Sequence, residues 1–345
     1  MIAHEKYMNR CLQLAKLGIG NVAPNPMVGS VIVCDNKIIG EGYHQKYGEA
    51  HAEVNAINSV KDQSLLLRST IYVNLEPCSH FGKTPPCANM IIEKKIPRVV
   101  IGCVDSNIEV AGKGIEKLKA AGIDVVTHIL EKECRELNKR FFTYHEKKRP
   151  YIILKWAQSA DGFIDINRSK NQKGIVWMSQ PETKTLVHQW RHEAAGILVG
   201  WKTIATDNPE LTCREIVGKN PTRIVIDQDL RLDYTAFKIG DYSTPTIILT
   251  KKVAAAGAEL QFINPVDFSI HEILNSLYQQ KIQSIIIEGG KTTIQNFITS
   301  GIWDEARIIK GINKIEIGEK APEINGKTEQ EFQFGKDTIC IVKND

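Results

Sequence analysis

The 345-residue chain has no apolar run near the roughly 18 residues that a membrane-spanning helix needs, so no segment is expected to cross a bilayer. Net charge is also scarce: 44 Lys and Arg stand against 40 Asp and Glu, a formal balance of +4 without the basic stripe of a dedicated nucleic-acid binder. The start of the chain, Met1-Ile2-Ala3-His4-Glu5-Lys6, lacks the apolar stretch of a secretory signal. Eight cysteines in that context read as thiols or metal ligands instead of a disulfide framework, and a reducing, cytoplasmic setting is expected. A dinucleotide fingerprint is missing too, because Gly18-Ile19-Gly20-Asn21-Val22-Ala23 has the right glycines but follows a helical pattern instead of a strand. There is no internal repeat and no low-complexity tract, so the two halves are different modules.

What is present is 42% apolar residues, ample for a sizeable core, over a length that favours two domains at roughly 100–200 residues each. Helical and strand patterns alternate, which predicts an α/β architecture. In the first half, helices are expected near 3–18, 50–60, after Pro85-Pro86, near 114–121 and over 131–144. Strands are expected at Ser30–Cys34, Lys37–Glu41, Thr70–Leu75, Arg98–Cys103 and Asp124–Thr127. The charged run before Pro150 reads as a linker over 146–150, between a domain at 1–145 and another at 151–345. A fresh strand at Tyr151–Trp156 opens the second series, continued at Ala195–Val199, Thr222–Ile226, Thr246–Leu249 and Ser284–Ile287.

Chemistry concentrates in two places. In the first, His51-Ala52-Glu53 stands on a helical pattern, Cys78 follows Glu53 by 25 residues, and Cys87 lies nine beyond Cys78. One His and two Cys can hold one metal, and three protein ligands with an open fourth position are the pattern of catalytic zinc. Residues two apart in a regular helix point about 200° apart, so His51 and Glu53 can share a centre only from the first turn, with the ion off the helix end. Pro85-Pro86 puts Cys87 at a second helix start, where the macrodipole favours a thiolate. Zinc would bring the pKa of a water near neutrality and Glu53 would shuttle its proton, the chemistry of hydrolytic deamination. Zinc deaminases carry H-x-E followed by P-C-x-x-C, but eight residues separate these two cysteines. That spacing and the weak charge disfavour a deaminase acting on a flipped nucleic-acid base. The second place is Ser284 to Thr293, an apolar strand running through Glu288-Gly289-Gly290 into a helical pattern, a start at which phosphates bind readily.

The segment from Glu76-Pro77-Cys78 through Ser79-His80-Phe81-Gly82-Lys83-Thr84-Pro85-Pro86 to Cys87 resembles the zinc loop of the bifunctional riboflavin-biosynthesis deaminase/reductase family, which has this longer spacing. Pro24-Asn25-Pro26-Met27-Val28-Gly29 and Asp105-Ser106-Asn107, with Ala111-Gly112-Lys113-Gly114 after it, resemble its deaminase half, although Ser106 stands where the family commonly has proline. The resemblance implies that His51, Cys78 and Cys87 ligate one Zn2+, that Glu53 is the catalytic proton shuttle, and that Asn25, His44, His80, Lys83 and Asn107 face substrate. His80 and Lys83 also suit a sugar phosphate on chemical grounds.

The second half resembles the reductase half of the same family, which has a dihydrofolate-reductase-like fold and uses NADPH. The likeness runs from Arg149-Pro150-Tyr151 through Lys155, Ser159 and Asp161-Gly162, then Gly200 to Thr212, Glu288-Gly289-Gly290 and Asp304-Glu305. By position, Gln158, Trp177, Thr203, Asp207 and the turn Gly290, Lys291, Thr292, Thr293, Ile294, Gln295 and Asn296 would contact NADPH. Arg191, Leu211, Arg214 and Glu288 would contact substrate, and Lys155 would polarise the reacting end of the sugar. Ile175 replaces a serine that often contacts substrate in the family, so that contact does not carry over. The whole then reads as a cytidine-deaminase-like three-layer domain followed by a dihydrofolate-reductase-like domain. Its partner would be a small pyrimidine ribosyl phosphate, with no nucleic acid and no membrane, and a homo-oligomer is expected.

Overall fold

The computed structural model describes residues 2–79, 85–106, 111–169, 172–252 and 260–344. It divides into two compact units, Met1–Lys148 and Arg149–Asp345. In the first unit the order is α1 (Ile2–Lys16), β1 (Gly29–Cys34), β2 (Lys37–Tyr43), α2 (Ala52–Ser59), β3 (Thr70–Leu75), α3 (Cys87–Glu93), β4 (Arg98–Cys103), α4 (Lys113–Ala120), β5 (Asp124–Val126), α5 (Glu131–Leu137) and α6 (Lys139–Lys147). The strands form one sheet in the order β2-β1-β3-β4-β5, antiparallel at β1 and parallel from β3 to β5. Because side chains alternate across a strand, Val31, Val33, Tyr72 and Val100 face α1, α5 and α6, while Ile32, Ile71, Val73, Val99 and Ile101 face α2, α3 and α4. That makes three layers.

Two glycines set how closely helices lie on this sheet. A Cβ on Gly29 would come within 2.1 Å of the Cys11 carbonyl on α1, and one on Gly42 within 2.4 Å of the Ala56 amide nitrogen on α2. The helix expected over 131–144 is instead two, broken at Asn138, and the second runs on to Lys147. The break has a polar cause: the buried Asn138 side chain accepts from the Met27 amide at 2.8 Å and donates to the Met27 carbonyl at 2.9 Å, so its backbone is placed for that clamp.

The second unit contains β6 (Tyr151–Gln158), β7 (Phe163–Ile166), α7 (Thr183–Glu193), β8 (Gly196–Gly200), α8 (Trp201–Asp207), β9 (Thr222–Ile226), β10 (Thr246–Leu249), β11 (Leu260–Ile263), α9 (Ile270–Gln279), β12 (Ser284–Ile287), α10 (Lys291–Thr299), β13 (Glu305–Lys310), β14 (Gly318–Lys320), β15 (Lys327–Phe334) and β16 (Asp337–Lys343). Nine strands form one sheet in the order β11-β10-β9-β8-β12-β6-β13-β16-β15, parallel from β11 to β13 and closed by the antiparallel β16 and β15. Ile152, Leu154, Leu198, Ile285 and Ile287 pack under α9 and α10, and Ile153, Ile197, Val199 and Ile286 under α7 and α8. Strand β12 was inserted between β8 and β6 late in the chain, so the sheet has a topological switch point there, where open α/β sheets bind ligands at the carboxyl ends of their strands. Among the described residues no helix is long and apolar enough to cross a membrane.

Gly29→Ala is expected to destabilise the first unit by about 1–3 kcal/mol, the usual cost of overpacking a tight contact. The readout is a lower urea midpoint followed by amide exchange in α1 and β1; an unchanged midpoint contradicts the tight contact.

Candidate functional site

His51 is the residue before α2, with extended backbone at φ −73° and ψ 164°, so it escapes the helical angle that would turn it away from Glu53. Cys87 is the first residue of α3 after Pro86, and Cys78 follows the end of β3. These three elements bring their donor atoms together: His51 Nδ1 lies 3.3 Å from Cys87 Sγ and 3.6 Å from Cys78 Sγ, and all three donors lie within 4.8 Å of one another. The Cys87 amide donates to Cys78 Sγ at 3.3 Å. Hydrogen bonding from Cys87 pulls the Cys78 thiol well down, and the same bond pushes Cys87 up. Hydrogen bonding to Cys78 raises His51. A soft His-Cys-Cys donor set fits zinc. Glu53 is buried in the first turn of α2 and hydrogen-bonded with Cys87; burial pushes its carboxyl up to about 7, against the pull of His51. A carboxyl poised there can both take and give a proton near neutral pH.

Asn25 and His44 join this cluster. Asn25 Nδ2 is 3.1 Å from His44 Nε2, and the His44 and His51 rings meet edge-on with centroids 5.4 Å apart. His44 Nδ1 is 3.0 Å from the Ala50 carbonyl, which can only accept, so Nδ1 carries the proton and Nε2 accepts from Asn25. Burial lowers the His44 pKa. His80, Lys83 and Asn107 lie outside the described residues. Sequence reading missed Asn74 and Asn138, which hold the segment after Asn25. Asn74 donates to the Met27 carbonyl at 3.1 Å and accepts from the Gly29 amide at 2.8 Å, beside the Asn138 clamp on Met27. Only their burial marks them, and burial is not visible in sequence.

In the second unit Lys155 on β6, Arg191 on α7 and Glu288 just past β12 form one nearly buried ionic cluster. Arg191 Nε and Nη2 each donate to the Glu288 carboxylate at 2.8 Å, and Lys155 Nζ is 3.4 Å from the same group. Burial would push Glu288 up, but Arg191 and Lys155 outweigh it and hold the carboxyl down at about 2. Burial lowers Lys155. Arg191 Nη1 donates to the Thr212 carbonyl at 2.9 Å, so all three guanidinium nitrogens are engaged within the protein. Leu211, next to Thr212, is buried in the left-handed region at φ 56°, a costly conformation for leucine that marks this loop as constrained. Arg214 is exposed, 3.6 Å from Glu210, and makes no described contact with the cluster.

Around Gly290 the expected cofactor residues separate. Thr203 on α8 accepts from the Gly290 amide at 3.2 Å, joining the starts of α8 and α10. A Cβ on Gly290 would meet nothing nearer than Thr203 Oγ1 at 3.8 Å, so packing does not require glycine there, and its absence keeps the α10 start open to a phosphate. Lys291, Thr292 and Thr293 form the first turn of α10, with Asn296 exposed further on. Ile294 is buried in the core, and Gln295 is taken up by the backbone of Glu323, so neither offers a free side chain. Asp207 closes α8, 3.5 Å from Arg168, and burial raises its pKa. Gln158 ends β6 and accepts from the Trp156 indole at 2.9 Å. Trp177 is half exposed, with Lys184 Nζ 4.0 Å above its ring, and makes no described contact with Gly290.

Residues 150–329 match the family model of the RibD C-terminal domain, and residues 1–103 match that of the cytidine and deoxycytidylate deaminase zinc-binding region. The riboflavin biosynthesis protein RibD of Aquifex aeolicus is 40% identical over 306 residues, spanning 87% of this chain and 84% of that protein. The RibD protein of Escherichia coli is 33% identical over 327 residues, spanning 87% and 85%. The crystal structure of a diaminohydroxyphosphoribosylaminopyrimidine deaminase/5-amino-6-(5-phosphoribosylamino)uracil reductase from Thermotoga maritima has a TM-score of 0.90 at 34% identity, covering 100% of this chain and 99% of that one. With both halves matched and relatives aligned along most of its length, the chain belongs to the RibD family, riboflavin-biosynthesis enzymes that join a zinc-type deaminase and a reductase in one polypeptide.

Proposed function

We propose that the chain converts 2,5-diamino-6-ribosylamino-4(3H)-pyrimidinone 5′-phosphate in two steps. Hydrolysis replaces the ring C2 amino group by oxygen, and NADPH then reduces the ribosyl group to ribityl, giving 5-amino-6-(5-phosphoribitylamino)uracil. The observation that carries this reading is the convergence of His51, Cys78 and Cys87 within 4.8 Å, beside a buried Glu53. In this reading the deaminase domain spans 1–145 and the reductase domain 151–345, with 146–150 between them.

Zinc held by His51, Cys78 and Cys87 supplies the Lewis acidity that makes water nucleophilic near neutral pH. Glu53 takes one proton of the attacking water and passes it to the ring nitrogen beside C2, then takes the second from the new C2 hydroxyl and gives it to the amino group, which leaves as ammonia. Asn25, oriented by His44, hydrogen-bonds the pyrimidine, and His80, Lys83 and Asn107 complete the substrate side.

In the reductase half, NADPH would supply the hydride that reduces the sugar C1′, and the protein orientation and charge. Lys155 polarises that end of the sugar through its ring oxygen, which takes up a proton as the ring opens. Glu288 holds Lys155 and Arg191, and with Leu211 and Arg214 it shapes the substrate side. Gln158, Trp177, Thr203, Asp207 and the turn from Gly290 to Asn296 receive the cofactor, Ile294 and Gln295 through their backbone. A cytoplasmic setting suits eight unpaired thiols, and the reading includes a homo-oligomer and neither nucleic acid nor membrane as a partner.

Mass spectrometry of products with and without NADPH tests the whole reading. Deamination alone is expected without NADPH, and deamination followed by a two-hydrogen mass gain with it; no reaction in zinc-replete protein refutes the assignment. Glu53→Ala should retain zinc and lose deamination by about 10²–10⁴-fold, the usual worth of a positioned general base, whereas Cys78→Ser should lose the metal. Unchanged ammonia release from Glu53→Ala counts against its role. Asp207→Ala should weaken NADPH binding about tenfold by fluorescence titration, roughly 1.4 kcal/mol, and leave deamination intact. Equal loss of both activities would contradict separate sites.

A further inference from the structure

Glu76 is the residue after the end of β3, 4% exposed, and its amide pairs with the Cys103 carbonyl at the end of β4. Its carboxylate accepts four backbone N–H groups. Oε2 takes Asp105 at 3.2 Å and Gly112 at 3.0 Å; Oε1 takes Gly114 at 2.9 Å and Ile115 at 3.2 Å. The residue before α4, Gly112, has no side chain with which to cap the helix, so the cap arrives from a strand 36 positions earlier in sequence. Gly114 packs directly on the metal-ligand turn: a Cβ there would come within 2.1 Å of the Pro77 carbonyl. Ser106, just past Asp105, has a buried hydroxyl with no hydrogen-bond partner among the described residues.

We infer that Glu76 is a positioning residue of the deaminase, one carboxylate that sets the Pro77-Cys78 turn in register with Asp105 and with Gly112, Gly114 and Ile115 at the start of α4. The inference rests on the deaminase reading above. Asp105 and Gly112 converge on a single oxygen, so the two points of the chain that flank Asn107 are fixed with respect to the Cys78 ligand. Charge-assisted bonds from a carboxylate are about twice as strong as neutral ones, and only a carboxylate offers two acceptor oxygens at this reach. Glutamine has the same shape but turns an NH2 toward two N–H donors, and aspartate is one methylene short. Glu53 is carried by α2, His51 stands just before it and Cys87 is on α3, so proton transfer and two of the three metal donors have supports of their own. Loss of the tether therefore falls on substrate binding.

The test is steady-state deamination by full-length, zinc-loaded Glu76→Gln on the diaminopyrimidine ribosyl phosphate, with zinc content and NADPH reduction measured on the same samples. The expected result is a KM raised by about tenfold or more, kcat changed by less than about threefold, zinc retained and reductase kinetics unchanged. A KM within about twofold of the parent overturns the inference, and so does zinc loss in proportion to the lost rate, which would make Glu76 a support of the metal alone. If Glu76→Gln fails to accumulate, Glu76→Asp is judged by the same criteria. Amide exchange in the parent provides a separate reading: Gly112, Gly114 and Ile115 should be protected, and free exchange there overturns the tether without any variant. A parent that does not deaminate refutes the substrate assignment, while the exchange result still judges Glu76.

Discussion

One buried carboxylate just past the end of a central parallel strand organises each half of the molecule. Glu76 follows β3, the middle strand of five, and Glu288 follows β12, the middle strand of nine. Parallel strands end together, and their last backbone groups, with the loops that leave them, must be satisfied without further pairing in the sheet. Burying a carboxylate there is costly unless it is fully bonded, so each one dictates the position of everything that bonds it.

The two halves meet that cost differently. Glu76 is compensated by backbone dipoles, four amides of Asp105 and of the start of α4, drawn in beside the Pro77-Cys78 turn. Glu288 is compensated instead by two cationic side chains, Arg191 and Lys155, drawn from α7 and β6. Arg191 also braces the Leu211–Thr212 loop, so one guanidinium links the ionic cluster to the constrained backbone beside it.

Much of this was legible in sequence, for physical reasons that differ by element. Runs such as Ser284–Ile287 and Arg98–Cys103 are apolar on both faces, and that pattern has few alternatives to a buried parallel strand. The convergence of His51, Cys78 and Cys87 was legible because soft donors beside helix starts have few other uses. The break at Asn138 was not, because its cause is a hydrogen bond to Met27, far away in the chain. Glu76 and Asn74 escaped for the same reason, since their partners lie 29 or more residues off. The pairing of Arg191 with Glu288, 97 positions apart, likewise shows only in the structure. Strand β15 hid because its eight residues, Lys327 to Phe334, are almost all exposed and carry no apolar alternation.

That last strand has a consequence for how the sheet ends. A nine-stranded sheet with an open flank offers its unpaired amides and carbonyls to any other extended chain. Here the outermost strand is short of apolar side chains and carries Lys327, Glu329 and Glu331, with Lys343 and Lys310 of the inner strands reaching out to pair with the glutamates. Charge along the rim repels a further strand, so on that side the sheet is guarded against runaway stacking into fibrils by the same residues that made it hard to read.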